Sequence, residues 1–226
     1  MSVCNAAGLM TSPSKPSRRA SLDREILADW IVHAVGLVCG LAGAVGLVVV
    51  AACATEGHPL VPVSVYIAGL LAMLTCSALY HVLRSHPRRD WLRRLDHAAI
   101  FVMIAGTYTP VAALGLDWPW NLAVILAVWV VAAVGVVLKL IRPHSIERIS
   151  VALYLLQGWI GLFVMKELWK SVPSGVLVLI VLGGLVYSGG VIVHLSPRRY
   201  SRALWHGCVL VGATFHYFAI AALVAA

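Results

Sequence analysis

Ser77 and His81 stand four residues apart in Ser77-Ala78-Leu79-Tyr80-His81, a spacing that on a helix stacks both side chains on one face. After a short basic loop, Asp96-His97 opens the next apolar run. A carboxylate costs about 2.5–3.5 kcal/mol at the centre of a bilayer and less toward its surface, so Asp96 is either kept for a task or reached by water. A third polar segment is Arg202-Ala203-Leu204-Trp205-His206, and His33 interrupts the first apolar run. Neutral imidazoles are common zinc ligands, and a catalytic zinc usually takes three protein ligands and a water. A neighbouring carboxylate can accept a hydrogen bond from that water, and a serine can steady a substrate carbonyl. His81, His206 and His33 are therefore candidate metal ligands, and Asp96 and Ser77 candidate catalytic residues.

These groups need a scaffold, and the composition says which kind. Of 226 residues, 61% are hydrophobic and only 12% are charged, which is not the balance of a soluble domain of this size. Long apolar runs alternate with short polar interruptions, the pattern of an all-α polytopic membrane protein. Residues 1–25, rich in Ser, Pro and Arg, read as a flexible cytosolic tail, and 26–226 as one membrane domain. The first run, 26–54, far exceeds a signal-peptide core and is expected to be a span rather than a cleaved leader. Six further spans are expected near 61–83, 93–114, 119–140, 148–168, 174–194 and 202–225. Pro62, Pro119, Pro143, Pro173 and Pro197 fall in connections or at helix starts. Gly36, Gly40, Gly183, Gly184, Gly189 and Gly190 are expected to let helices approach closely.

A net charge of +8 is compatible with nucleic-acid binding, but the basic residues punctuate the spans and form no folded basic face. They carry topology instead. With seven spans, fifteen of the seventeen Lys and Arg fall on the side of the N-terminus and only Lys166 and Lys170 on the other. The positive-inside rule then makes the N-terminus cytoplasmic. In this topology His81 ends the second span, Asp96 begins the third and His206 begins the seventh. At about 1.5 Å per residue, these residues, Ser77 and His33 all lie within roughly 10 Å of the cytoplasmic boundary.

The remaining candidates read more plainly. His97 points about 100° from Asp96 and is expected to pack against a neighbouring helix. His216 lies about 15 Å deeper than His206, too far to share a metal. His58, His86, His144 and His194 sit in or beside connections and are expected to be solvated. Trp30, Trp91, Trp118, Trp120 and Trp169 read as interfacial anchors near span ends. Cys4, Cys39, Cys53, Cys76 and Cys208 contain no C-x-x-C pair, and the four in apolar runs are expected to act as small core hydrophobes. The chain has no phosphate loop and no G-x-S-x-G elbow.

Three pieces resemble a known family: Ser77-Ala78-Leu79-Tyr80-His81; Leu95-Asp96-His97-Ala98-Ala99-Ile100 continuing to Ile104-Ala105-Gly106-Thr107-Tyr108-Thr109-Pro110; and Ala203-Leu204-Trp205-His206 with Phe215-His216-Tyr217. They resemble the hemolysin III family, relatives of the progestin and adiponectin receptors and, more distantly, of the alkaline ceramidases. The resemblance covers nearly the whole chain from Ala28 onward. It implies seven transmembrane helices and a zinc near the cytoplasmic face, held by one histidine of the second span and two of the seventh. By position His81 and His206 match ligands, Asp96 matches the residue beside the water, and Ser77 matches a serine below the first ligand. The remaining ligand position holds Arg202, which stays protonated and does not replace imidazole. Either His33, similar to a histidine often present in bacterial members, or an extra water completes the shell, or tight metal binding is lost.

Two functions of different class follow. One is a zinc-dependent hydrolase, or a lipid-binding relative of one, acting on an amide or ester of a membrane lipid in the plasma membrane. The other is a non-enzymatic sensor, receptor-like or cytolytic membrane protein whose polar layer is structural. The topology is open to a direct check. A reporter active only in the cytosol should work when fused after Arg89 or Arg142 and be silent at Ala226; activity at Ala226 would overturn the orientation and the seven-span count together.

Overall fold

The computed structural model describes residues 18–54, 59–142 and 147–225. Pro143, His58, His144 and Cys4 lie outside them. The described residues form α1 (Arg18–Cys53), α2 (Leu60–Val82), α3 (Arg89–Gly115), α4 (Trp120–Ile141), α5 (Glu147–Gly158), a 3-10 turn (Ile160–Val164), α6 (Met165–Ser171), α7 (Ser174–His194) and α8 (Ser201–Ala225). Seven segments are long and apolar enough to cross a membrane, the fifth running Ile149–Ser171 through α5, the turn and α6. Their ends fall within four residues of those expected. Helix α1 begins at Arg18 and so runs through residues 18–25, and its Glu25 meets Arg199 at 3.2 Å.

Helix α3 is the axis of the bundle, packing against α2, α4, α5 and α8 while α1 closes the ring between α2 and α8. Its apolar stretch is 61% buried, and no other span exceeds 33%. In lipid there is little hydrophobic drive between helices, so close packing comes from small residues. A Cβ added at Gly69 of α2 would stand 3.2 Å from the Val102 carbonyl, and one at Gly106 of α3 3.2 Å from that of Val65. This backbone-to-backbone crossing sets the depth of α2 against α3. The expected contacts at Gly36, Gly40, Gly183, Gly184 and Gly190 are present, with Leu210, Leu74, His216, Trp159 and Trp205 side chains respectively. Gly189 faces open space instead.

The fifth span is not the continuous helix expected over 148–168. It breaks after Gly158, and the freed backbone groups find a side chain from α3. The Tyr108 hydroxyl donates to the Gly158 carbonyl at 2.7 Å and accepts from the Gly161 N–H at 2.9 Å. An unsatisfied backbone group in hydrocarbon costs several kcal/mol, on the order of a lost hydrogen bond in an apolar solvent, so the break is tolerable because this hydroxyl fills it. Fully buried Gln157 fixes the end of α5 by donating to the Phe101 and Val128 carbonyls, both at 3.1 Å. The tryptophans at the span ends are exposed, as anchors should be. Two cysteines depart from expectation: Cys39 and Cys53 are exposed on the outer face of α1, and Cys76 and Cys208 are half-buried.

The crossing of α2 and α3 predicts an asymmetry among glycines. Gly106→Val should lower stability by about 1–3 kcal/mol through overpacking, whereas Gly189→Ala should not lower it. Thermal unfolding in detergent measures both; equal effects would show that the crossing is not tight.

Candidate metal centre

The buried stripe of α1 repeats at helical spacing: Asp29, His33, Gly36, Ala44, Leu47 and Ala51, with half-buried Gly40 on the same face and the last three being apolar core. This is the periodicity of one helix face, and its polar end meets the last turn of α2 and the first turns of α8. The result is a layer of three imidazoles from three helices. His33, His81 and His206 each offer a ligand atom, and these atoms lie within 4.8 Å of one another. Ring centroids are 4.9 Å apart for His33 and His81, 4.4 Å for His33 and His206, and 4.6 Å for His81 and His206.

The hydrogen bonds fix which nitrogen faces inward. His33 Nδ1 meets the Asp29 carbonyl at 2.7 Å, and His81 Nδ1 meets the Ser77 carbonyl at 2.9 Å. His206 Nδ1 meets the Asp29 carboxylate at 2.7 Å. A carbonyl or carboxylate oxygen only accepts, so each Nδ1 donates, and each neutral ring keeps its lone pair on Nε2. Metal-ligating histidines are oriented in this way by a carboxylate or carbonyl behind them. The donor set therefore suits a small divalent cation of zinc type.

Asp29, which is 1% exposed, does more than orient His206. Its second oxygen pairs with Arg84 Nη2 at 3.4 Å. Arg84 in turn donates from Nε to the His81 carbonyl at 3.0 Å, and Trp30 Nε1 reaches the same carbonyl at 3.4 Å. The end of α2 is thereby capped by α1 and by its own following loop. Sequence reasoning missed Asp29. The available signal was its place four residues before His33, the same spacing that singled out Ser77 and His81.

The structure brings together Ser77, His81, Asp96, His206 and His33. Ser77 Oγ lies 3.2 Å from His33 Nε2 and borders the same cavity as the Asp96 carboxylate, which is 8% exposed. All five line a cavity of about 300 Å³ that also takes in Arg93, Lys139 and Arg202. His97 is on that wall too, and its carbonyl accepts from the Tyr154 hydroxyl of α5 at 2.8 Å. His194 is exposed as expected, yet it also borders the cavity and packs on Trp205. His86 is exposed and accepts from the Arg88 N–H at 3.1 Å. His216 is apart from the three imidazoles, with Nε2 3.1 Å from the Ile180 carbonyl.

A bundle of seven apolar helices around a central third, with a polyhistidine layer at its arginine-rich end, defines an integral membrane protein with a buried polar centre. The chain belongs to the family described as haemolysin-III related, whose profile matches residues 21–225. It is similar to the Hemolysin-3 homolog of Bacillus subtilis (strain 168), 29% identical over 198 residues, covering 87% of this chain and 93% of that protein. It is likewise similar to Hemolysin-3 of Bacillus cereus, 27% identical over 208 residues and 91% and 94% of the two chains. Similarity extends to the Heptahelical transmembrane protein ADIPOR2 of Oryza sativa subsp. japonica, 30% identical over 191 residues, 73% of this chain and 82% of that one.

Asp29→Ala should weaken zinc binding by about 10–100-fold, the usual effect of removing the partner behind a ligand. Asp29→Asn should weaken it less, since an amide oxygen still accepts from His206. Competition with a coloured chelator measures both, and unchanged affinity in both would reduce Asp29 to packing.

Proposed function

We propose that the imidazole layer is a zinc centre near the cytoplasmic face of the cell membrane, and that the protein uses it to hydrolyse an amide or ester of a membrane lipid. The observation that supports this most directly is that three histidines from α1, α2 and α8 turn the same nitrogen inward, each held from behind. His33 then takes the place that the family resemblance would give to position 202. Zinc, when bound, supplies Lewis-acid polarisation of a carbonyl and acidifies a water.

The remaining work falls to the protein. Asp96 acts as general base, taking a proton as water oxygen attacks the carbonyl carbon, and then gives it to the leaving amine or alcohol as the C–N or C–O bond breaks. Ser77 steers that carboxylate. Its hydroxyl lies 3.2 Å from His33 Nε2, and with His33 serving as a ligand that hydroxyl would be left to donate to Asp96. Burial keeps the reaction away from bulk water, where electrostatic effects would be weaker. An apolar cavity of about 110 Å³ shares Met73, Ile100, Tyr154 and Trp205 with the polar one. It is suited to the hydrocarbon part of a lipid.

Elemental analysis and lipid hydrolysis by the purified protein test this reading. His81→Ala and His206→Ala should lose zinc. His33→Ala should lose it as well, and adding Arg202→His should restore it, because two imidazoles at i and i+4 can chelate one zinc. Asp96→Ala should keep zinc while losing about 10²–10⁴-fold in hydrolysis, and His216→Ala should keep both. Zinc content indifferent to all three histidines would overturn the ligand set; zinc without hydrolysis of either amide or ester would leave a non-enzymatic membrane protein.

A further inference from the structure

The seam between α1 and α8 is pinned at successive levels. Glu25 pairs with Arg199 at 3.2 Å, Asp29 accepts from His206 at 2.7 Å, and further along Leu210 packs against Gly36, where an added Cβ would stand 2.8 Å from it. Asp29 and Gly36 are seven residues apart, roughly 10 Å of helix. Between these two pins stands Val32. On one side Val32 lines the histidine cavity, and on the other an apolar groove of about 570 Å³. Among the described residues it is the one side chain common to both. Helix α8 divides in the same way: Trp205, His206 and Val209 line the cavity, and Ala203, Gly207 and Val211 the groove. The groove is open because its floor is made of small residues, and a Cβ added at Gly207 would meet no atom within 4 Å.

Both walls of the groove belong to membrane spans. An apolar space open to the bilayer is filled by hydrocarbon, since water finds no polar partners there. The order from outside inward is therefore lipid-filled groove, Val32, imidazoles with Asp96 and Ser77, then the apolar cavity beyond them. We infer that the groove is a lipid portal: the hydrocarbon chain of a bilayer lipid lies in it and passes Val32 to reach the histidine cavity. Valine is stiff at χ1 in a helix, so the bulk of this side chain sets the width of the passage. Calling that lipid a substrate rests on the proposed hydrolase, whereas passage into the interior is read by labelling alone.

Photolabelling of the purified full-length protein in phosphatidylcholine vesicles tests the portal. The probe is a monoacylglycerol with a diazirine at the end of its acyl chain, and the labelled residues are read by mass spectrometry. Leu204, 56% exposed at the groove, and Met73, 6% exposed inside the bundle, should both take the label. Val32→Trp and Gly207→Leu should each cut the Met73 signal about tenfold by filling the passage, while Leu204 keeps its label. Val32→Ala should raise the Met73 signal. A side chain at Gly207 starts in open space, so that variant keeps the test open if Val32→Trp does not fold. Met73 left unlabelled in the unaltered protein, or labelled equally in every variant, would overturn the portal. Leu204 unlabelled, with the protein dimeric in the same vesicles, would give the groove to a second copy and overturn it likewise. Hydrolysis on the same samples separates the two readings. Val32→Trp should cleave the vesicle-borne monoacylglycerol about tenfold more slowly and water-soluble p-nitrophenyl acetate at the unaltered rate. Cleavage of neither ester, with Met73 labelling still set by the side chain at position 32, would remove the hydrolase and leave the portal standing.

Discussion

The carboxylate of Asp29 is the contact on which the rest of the polar layer depends. It accepts from His206 with one oxygen and pairs with Arg84 through the other, and so joins α1, α8 and the end of α2 in one network. A buried carboxylate without partners would carry a desolvation cost of several kcal/mol. With two, it becomes a constraint on register: sliding α8 by one residue relative to α1 would strand both the carboxylate and an imidazole. Three histidines distant in sequence can therefore share one depth without any covalent or loop restraint between them.

Opposite requirements govern the other end of the bundle. There the interior is apolar, and what must be satisfied is the backbone. The broken fifth span is held by Tyr108 and Gln157, side chains that substitute for the helical hydrogen bonds lost after Gly158. The Gly69–Gly106 crossing brings α2 onto α3 closely enough that Ser77 and Asp96 border one cavity. Packing in the apolar half thus fixes distances in the polar half, through the rigidity of two helices.

The seven spans were legible because hydrocarbon thickness imposes a length that apolar runs display directly. The convergence of Ser77, His81, Asp96, His206 and His33 was legible because depth in a membrane is nearly a function of position along a span. Azimuth was not. Asp29 resembles a boundary charge at the start of a long helix, and only the packing of α8, 177 residues away, makes it interior. The same gap explains Cys39 and Cys53, which lie in apolar runs but face outward. The break in α5 was hidden for another reason. No proline marks it, and a lone Gly158 within an apolar run is compatible with continuous helix; the deciding partner, Tyr108, sits fifty residues earlier.

Arg202 changes what kind of device the centre is. In the arrangement the family resemblance implies, two ligands one turn apart on the seventh span belong to a single helix and hold their spacing by local geometry. With His33 as the third donor, the proposed shell draws on α1, α2 and α8, one ligand each, so no pair of ligands is preformed by one helix. Metal binding to such a set is coupled to the docking of α1: whatever loosens α1 from the bundle weakens the site, and bound metal stabilises the docked state by RT ln(1 + [L]/Kd). The Asp29 network works in the same direction, since it docks α1 before any ligand arrives. The first helix is otherwise largely lipid-facing, with its Asp29 to Ala51 stripe buried, so that stripe is what its docking rests on.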